Sequence, residues 1–151
     1  MKLSYIQSHH YGEEEWKRRG MFDWLCNACD NEEIKLKDTK RVQEHFRNIL
    51  TLTGWSGPAR ISVDSNLTVF SLKADLAFQV QLGNISRCAY DLLKIQYMYQ
   101  AGKINTAALV LPTNSASKQL GTNSANSSRV WNELQIFNRV VTVPLLLLAI
   151  E

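Results

Sequence analysis

The sequence predicts an α/β (α+β) fold in which a central mixed β-sheet is flanked by helices on both faces. Segments with helical and with strand periodicity follow one another in the order helix, three strands, helix, strand, helix, strand. Strands joined by short turns and then followed by a strand–helix–strand unit give a sheet with antiparallel and parallel pairs. Helices on both faces of such a sheet complete the predicted architecture.

The N-terminal part of the chain is mainly helical in pattern. Met1–Gln7 is typical of a short strand or arm, and residues 13–29 are helix-like with a bend at Gly20. The segment DTKRVQEHFRNILTL predicts a stronger helix, because its apolar residues recur at the spacing of one helical face. Asp38 is placed to cap this helix, and Gly54 ends it.

The middle of the chain predicts three strands and a long helix. The strands are ARISV, LTVFSL and ADLAFQVQL, with turn residues between them. The helix spans Ile85–Gln100 and ends at Gly102. The residues expected on its inner face are Ala89, Leu92, Leu93, Gln96 and Tyr99.

The C-terminal part predicts two buried strands separated by a loop and a helix. INTAALVLP is the first strand, and VPLLLLAI, with Pro144 at its start, is the second. Between them, residues 113–128 form a long stretch rich in Ser and Asn, and a helix covers about Arg129–Phe137. A loop this long in a small domain is usually functional or disordered.

Length, composition and charge set broad limits on the protein. A chain of 151 residues, 45% hydrophobic and 21% charged, fits a single domain over residues 1–151. The net charge of +3 is compatible with a nucleic-acid partner but does not require one. The longest apolar stretch, Val143–Ile150, is far shorter than the roughly 20 residues of a membrane span. We therefore expect a cytoplasmic protein without membrane contact.

The three cysteines favour reduced thiols over a disulfide framework or a zinc site. Cys26 and Cys29 form a C-x-x-C pair, but no second pair of this spacing exists in the sequence. Two thiols on a short helix are the simpler interpretation.

The third predicted strand has one apolar and one polar side. Alternation places Leu76, Phe78, Val80 and Leu82 on one side and Lys73, Asp75, Ala77, Gln79 and Gln81 on the other. A half-exposed strand gives the same pattern without any catalytic role. The central position expected for this strand and the later Asn/Ser loop favour a functional interpretation.

Several segments in order resemble the BglII/BstYI group of type II restriction endonucleases. They are DLAFQVQLGN, AYDLL, LVLP, NSANSSRVWNELQIF and VPLLLLAI, and they run from about Ser71 to Ile150. A weaker resemblance to the N-terminal part of the family covers SYIQSHHYG, the helix-like segment 13–29 with Trp16 and Trp24, and TGW. The resemblance implies a restriction-endonuclease-like core and metal-dependent cleavage of DNA.

The resemblance also implies a catalytic site formed by an Asp, a Glu nine residues later and a Gln two residues after that. Gln81 matches the last of these, whereas Gln79 stands at the Glu position and Phe70 at the Asp position. Mg²⁺ prefers anionic oxygens, so placing the ion in a site with two fewer negative charges costs several kcal/mol. A difference of ~1.4 kcal/mol already changes a rate or an affinity tenfold. We expect ordinary metal-dependent cleavage to be lost or very slow.

Asp75 is the best candidate for a relocated acid. It lies on the same side of the strand as Gln79, about 13 Å away at ~3.3 Å per residue. This distance is too great for both side chains to bind one ion easily. Asp75 could instead hold Mg²⁺ together with Asp64 or with a carboxylate from Glu13, Glu14 or Glu15.

The segment NSANSS resembles the loop with which the family contacts bases. Asn126, Ser127 and Ser128 have side chains suited to hydrogen bonding in the major groove, although Ser and Asn also cap helices and fill loops. Four basic residues of the same half could neutralise backbone phosphates, namely Lys94, Lys103, Lys118 and Arg129. Basic residues usually lie on solvated faces, so only their clustering around one groove would indicate DNA binding.

Three hypotheses of function follow. The leading one is a double-stranded-DNA-binding protein with a type II restriction-endonuclease fold and lost catalytic carboxylates, with Gln79 and Gln81 as remnants of the site. The second is an active Mg²⁺-dependent endonuclease using Asp75, and the third is a structural or partner-binding domain. The resemblance implies a homodimer, for which the helix Ile85–Gln100, apolar on more than one side, is a candidate interface.

Overall fold

The computed structural model describes all residues, Met1–Glu151. The strands are β1 (Leu3–His9), β2 (Ala59–Arg60), β3 (Thr68–Val69), β4 (Ser71–Lys73), β5 (Leu76–Val80), β6 (Thr106–Pro112) and β7 (Leu145–Ile150). The helices are α1 (Gly12–Arg18), α2 (Phe22–Ala28), α3 (Thr39–Leu52), α4 (Ile85–Gln100), α5 (Asn114–Ser117) and α6 (Ser127–Ile136). None of these helices is both long and apolar enough to cross a lipid bilayer.

The central sheet is mixed, which confirms the predicted fold class. Its five strands lie in the order β1-β7-β6-β5-β4. β5, β6 and β7 are parallel to one another, whereas β4 and β1 pair antiparallel at the two edges. β2 and β3 form a separate two-stranded sheet. The two central parallel strands, β6 and β7, are buried along their whole length, as their continuous apolar sequences predict.

Each face of the central sheet packs against its own helical layer. On one face, Phe78 and Leu146 join a core formed with α1, α2 and α3. On the other face, Ala77, Leu109 and Leu147 pack against α4 and α6. Alternation along each strand thus divides its side chains between two separate cores.

The first helical layer is held to the sheet by close packing and aromatic stacking. Gly20 adopts a left-handed conformation with φ of 65° and separates α1 from α2 at the predicted bend. Trp16 is fully buried, and its indole N–H donates to the Ala107 carbonyl oxygen at 3.2 Å. The indole rings of Trp16 and Trp24 both stack on Trp55, with centroids 6.1 and 5.8 Å away. These contacts fix α1 and α2 above the parallel strands.

Helix α3 begins and ends where the sequence predicts. The Asp38 carboxylate accepts a hydrogen bond from the Arg41 backbone N–H at 3.1 Å, so Asp38 is the N-cap. Gly54, with φ of 78°, follows the end of the helix. The buried residues of this helix, Val42, Phe46 and Leu50, lie on the predicted face.

The predicted strand LTVFSL is divided between two sheets. Thr68 and Val69 pair with β2, whereas Ser71–Lys73 pair with β5, and Phe70 is the junction. The change of pairing partner breaks the strand, although its sequence is continuous in pattern. The predicted strand ARISV is likewise shorter, with only Ala59–Arg60 paired.

Helix α4 has the predicted bounds, but part of its predicted inner face is wrong. Leu92 and Gln96 are buried as expected, whereas Leu93 is 55% exposed and Ala89 is also exposed. Cys88, Ile95 and Met98 are the residues that complete the buried face. A helix with apolar residues on two sides fits two orientations, and the sequence pattern alone did not separate them.

Candidate functional site

The polar side of β5 lies beneath helix α4 and is buried. Leu76, Phe78, Val80 and Leu82 all enter the core of the opposite face, as the alternation predicts. On the polar side, Ala77 is fully buried and Gln79 is only 8% exposed. A buried amide requires hydrogen-bond partners, so the environment of Gln79 defines this site.

Gln79 is joined directly to Phe70. The Gln79 Oε1 atom accepts a hydrogen bond from the Phe70 backbone N–H at 2.9 Å, across the β4–β5 hairpin. The Phe70 ring packs against Phe78 with centroids 6.1 Å apart, and the Arg47 guanidinium lies over it at 5.5 Å. The structure therefore brings together the two positions at which the family resemblance expects acids.

Gln81 continues the site at the end of β5. Its Nε2 atom donates to Asp91 Oδ2 at 2.7 Å, and its Oε1 atom accepts from the Gly83 backbone N–H at 2.8 Å. The side chain thereby links the strand to α4, whose N-cap is Asn84. Gln81 is held in one orientation by partners on both ends of its amide.

Asp91 and Lys94 form a nearly buried ion pair beside Gln81. The Asp91 side chain is 7% exposed, the Lys94 side chain is 12% exposed, and Nζ lies 2.7 Å from Oδ1. The Lys94 ammonium also donates to the Thr68 carbonyl oxygen at 2.6 Å. We call Phe70, Gln79, Gln81, Asp91 and Lys94 the β5 network.

Asp91 is a member of the site that the sequence pattern did not predict, and Lys94 was predicted only as a phosphate-neutralising residue. An Asp and a Lys three residues apart share one face of a helix. Such a pair in the helix that follows a strand with polar residues is the signal that was available. The pattern alone does not show that this face of α4 packs on β5, because the opposite face of the helix is also apolar.

The structure does not bring Asp75 together with Gln79 and Gln81. Asp75 lies in the turn between β4 and β5, at the other end of the strand. Arg19 forms an ion pair with its carboxylate, and Asn105 Nδ2 donates to Oδ2 at 2.8 Å. The hydrogen bond from Arg19 is the main cause that lowers the pKa of Asp75 to about 2. Arg19 also pairs with Glu15, so a guanidinium lies between these two carboxylates.

The Asn/Ser segment is attached to the same end of β5. The Ala125 backbone N–H donates to the Gly83 carbonyl oxygen at 2.7 Å, and Ser124 forms a β-bridge with Asn84. The long predicted loop is thus ordered by these contacts and by the short helix α5. It lies next to Gln81 rather than at the distant end of the sheet.

The predicted base-contacting residues differ in what they contact. The Asn126 side chain is the N-cap of α6 and accepts from the Arg129 backbone N–H at 2.9 Å. Ser127 is fully buried, with its Oγ atom 2.6 Å from the Tyr5 hydroxyl. Ser128 is exposed, with its Oγ atom 3.3 Å from the same hydroxyl.

The two predicted basic residues of this region are accessible. The Arg129 side chain is 58% exposed and pairs with Glu133 at 2.9 Å. Lys118 is exposed at the C-terminal end of α5. Both are therefore free to approach a polyanion from solvent.

Helices α4 and α6 also form an exposed apolar surface. A groove of about 240 Å³ lies between them, and seven of its eight lining residues are hydrophobic. We call its exposed residues Ala89, Leu93, Phe137 and Val140 the α4–α6 surface; the last three are 55%, 51% and 57% exposed. Apolar side chains grouped in this way are typical of a protein–protein contact.

The cysteines and the acidic residues form no metal cluster. No group of three or more His, Cys, Asp or Glu side chains is arranged to hold a metal ion. Cys26, Cys29 and Cys88 are free thiols, and burial raises the pKa of each one.

The chain is similar to a known protein family over nearly all its length. A family model described as restriction endonuclease BglII/BglIII matches residues 5–150. The structure of restriction endonuclease BglII complexed with a DNA 16-mer covers 100% of this chain and 77% of its own, with 15% identity and a TM-score of 0.74. The structure of free BglII covers 100% of this chain and 80% of its own, with 14% identity and a TM-score of 0.70. No curated protein sequence matches the chain.

Proposed function

Because the chain belongs to the restriction endonuclease BglII/BglIII family, we propose that it binds double-stranded DNA through a restriction-endonuclease fold from which the catalytic carboxylates are missing. One observation supports this most directly. The Gln79 side chain is hydrogen-bonded to Phe70, so the two acid positions adjoin and neither has a carboxylate. The amide oxygen that remains is already engaged by a backbone N–H.

The side chains of the β5 network do not fit a magnesium ion. Mg²⁺ binds carboxylates and phosphates in a strict octahedral arrangement, and two carboxylates ordinarily supply both charge and geometry. Here the carboxylate of Asp91 is bound by Lys94 and Gln81. Binding a metal ion would break these contacts and leave a nearly buried ammonium without its partner, which costs several kcal/mol.

DNA contact is proposed at the N-terminal end of α6. Ser128 is exposed and suited to a base edge, and Arg129 and Lys118 are accessible for phosphates. Asn126 and Ser127 would shape the loop, since the first caps α6 and the second is bonded to Tyr5. Free backbone N–H groups at the start of a ten-residue helix add a further attraction for phosphate.

We propose that the protein is a homodimer through the α4–α6 surface. Leu93 on α4 forms an apolar patch with Phe137 and Val140, which follow the end of α6. In a two-fold dimer, this patch can pack against the same patch of a second copy. Family members act on DNA as pairs of subunits, as the sequence resemblance implies. A dimer would place two copies of the loop on one duplex.

A second candidate function is an active Mg²⁺-dependent endonuclease. The observation that favours it is the Asp91 carboxylate, which lies 2.7 Å from Gln81 and so provides an acid at the site. Asp75, the relocated acid proposed from sequence, would have to act at the opposite end of β5, where Arg19 and Asn105 bind it. Mutation of each acid in turn shows which of the two is required for cleavage.

Duplex binding and plasmid cleavage, measured on the same preparation, test these proposals. We expect the protein to retard duplex DNA at low salt, with affinity falling as salt rises, and to leave plasmid intact in magnesium or manganese. Linear product that disappears with Asp91→Asn or Asp75→Ala would establish the endonuclease instead and identify its acid. Absence of duplex binding at low salt would leave the structural or partner-binding role.

A further inference from the structure

A lysine ammonium pairs with Asp91, the one carboxylate that the β5 network could offer to a metal ion. Lys94 Nζ is 2.7 Å from Asp91 Oδ1 and 2.6 Å from the Thr68 carbonyl oxygen. Both of these acceptors are oxygens of the kind that a divalent cation prefers. The ammonium therefore already uses the anionic oxygen that the site offers.

The contacts of the β5 network, together with the chain that joins its members, close into a ring that includes the two acid positions. Gln79 is bonded to Phe70, and Thr68, two residues earlier, is bonded to Lys94. Lys94 is paired with Asp91, Asp91 is bonded to Gln81, and Gln81 lies two residues after Gln79 on the same side of β5. Within this ring the charged side chains are one carboxylate and one ammonium, so the site is neutral without a metal ion.

We propose that Lys94 replaces the divalent metal ion at this site, so that a backbone phosphate of duplex DNA is bound there without a metal. An ammonium has three N–H donors, and Asp91 and Thr68 use two of them. The third N–H is left for a phosphate oxygen. The phosphate part of this inference rests on the proposed function, whereas the replacement of the metal by Lys94 does not.

Binding of a labelled duplex in EDTA and in calcium tests the phosphate part. The unmodified protein should bind with the same affinity in both, within about twofold. Lys94→Met keeps the length of the side chain but removes its charge, and we expect binding about tenfold weaker in EDTA. Calcium should restore most of this loss, because Asp91 Oδ1 and the Thr68 carbonyl oxygen are then free to bind it.

Lys103→Met is the matched control. Lys103 follows the same helix and also donates to a carbonyl oxygen of the β2–β3 region, that of Ile61 at 2.5 Å, but it has no carboxylate partner. Its loss should change affinity by the same factor in EDTA and in calcium. The proposal is overturned if the unmodified protein binds at least about tenfold tighter in calcium, or if Lys94→Met behaves like Lys103→Met.

Thermal unfolding without DNA tests the replacement of the metal independently. Calcium should raise the Tm of Lys94→Met by about 3 °C and leave the unmodified protein unchanged. Asp91→Asn/Lys94→Met, which removes both charges, should not respond. An equal response of all three proteins would refute the role of Lys94 even where duplex binding is absent, whereas absence of binding alone refutes only the proposed function.

The double variant Asp91→Asn/Lys94→Met also tests the proposal if Lys94→Met does not fold. Removing both members of a buried pair is much less destabilising than removing one. Asp91→Asn/Lys94→Met should bind duplex about tenfold more weakly than the unmodified protein in EDTA, with no recovery in calcium. Unchanged affinity in this variant would overturn the proposal.

Discussion

At position 79 a glutamine has nearly the shape of a glutamate but no charge, and its amide both accepts and donates hydrogen bonds. In this chain the amide oxygen binds the backbone of Phe70, whose ring belongs to the aromatic core. The phenylalanine at the neighbouring acid position therefore contributes to the packing of the core. Both positions contribute to stability without any charge.

Phe70→Asp together with Gln79→Glu should create a metal site if the two positions are correctly assigned. The two positions adjoin across the hairpin, and we expect at least about tenfold tighter calcium binding by calorimetry than in the starting protein. Phe70→Asn, which removes the ring without adding charge, is the control. Equal calcium affinity in the control and the double variant would show that the acid positions are wrongly assigned.

Asp75 predicts a pH dependence of stability. Its pKa is lowered to about 2 in the folded protein, mainly by the hydrogen bond from Arg19. A carboxyl group whose pKa is lowered by folding stabilises the folded state at pH values above its pKa in the unfolded chain, ~4. This contribution is lost as the pH falls through the pKa of the group in the folded protein. The side chain is 35% exposed, so solvent screens much of the effect.

We expect Asp75→Asn to lower the free energy of unfolding by about 1 kcal/mol at neutral pH. The difference from the unmodified protein should shrink between pH ~4 and pH ~2, as urea titrations at several pH values would reveal. Asp64→Asn, in an exposed turn, is the control. A difference that persists unchanged at the lowest pH would contradict the role of the carboxylate charge.

At the level of elements, the parts that were predicted from sequence are those fixed by local pattern. The caps of α3 and the continuous apolar runs of β6 and β7 can be predicted from the sequence, because each depends on residues close together in the chain. The break at Phe70 cannot be predicted in this way, because it depends on which strand lies beside Thr68 and which lies beside Ser71.

The candidate site was predicted only in part. The family resemblance, rather than the spacing alone, assigned Phe70, Gln79 and Gln81, and the structure places Gln79 beside Phe70. Asp91 and Lys94 come from a helix whose orientation is set by tertiary packing. The inner face of α4 had to be known before this pair could be placed beside β5.

The junction between β1 and α1 gives a prediction at this scale. A Cβ atom at Gly12 would lie 2.3 Å from the backbone carbon of Leu145 in β7, so α1 approaches the sheet too closely for any side chain. We expect Gly12→Ala to lower the free energy of unfolding by about 3 kcal/mol, because the backbone must move.

Gly57→Ala is the matched control, since a Cβ there meets no atom within 4 Å. Chemical denaturation of both variants would measure the difference. Similar stabilities of the two variants would show that the contact between α1 and β7 is not tight.

At the level of the whole molecule, the two helical layers have different surfaces. The α1–α3 layer lies over a large aromatic core, whereas the α4 and α6 layer presents the apolar α4–α6 surface to solvent. Burial of this surface between two copies would remove exposed side chains such as Leu93 and Phe137 from water. This asymmetry is the physical basis of the proposed homodimer.

Leu93→Glu should convert the proposed dimer to a monomer, as sedimentation velocity would measure. A charge in each copy of the patch would be desolvated and placed near its symmetry mate, which costs several kcal/mol. Leu52→Glu is the control, because Leu52 is 84% exposed at the end of α3, on the other layer. A dimer that survives Leu93→Glu, or a protein that is monomeric from the start, would exclude this interface.

The distribution of the four tryptophans gives the molecule two built-in optical reporters. Trp16, Trp24 and Trp55 stack nearly parallel in one layer, so their electronic transitions should couple and give a distinct circular dichroism signal. Trp131 lies alone against the opposite core, on α6. The coupled signal therefore follows the first layer, while the fluorescence of Trp131, isolated by substituting the stacked indoles, follows the layer that holds the proposed DNA loop.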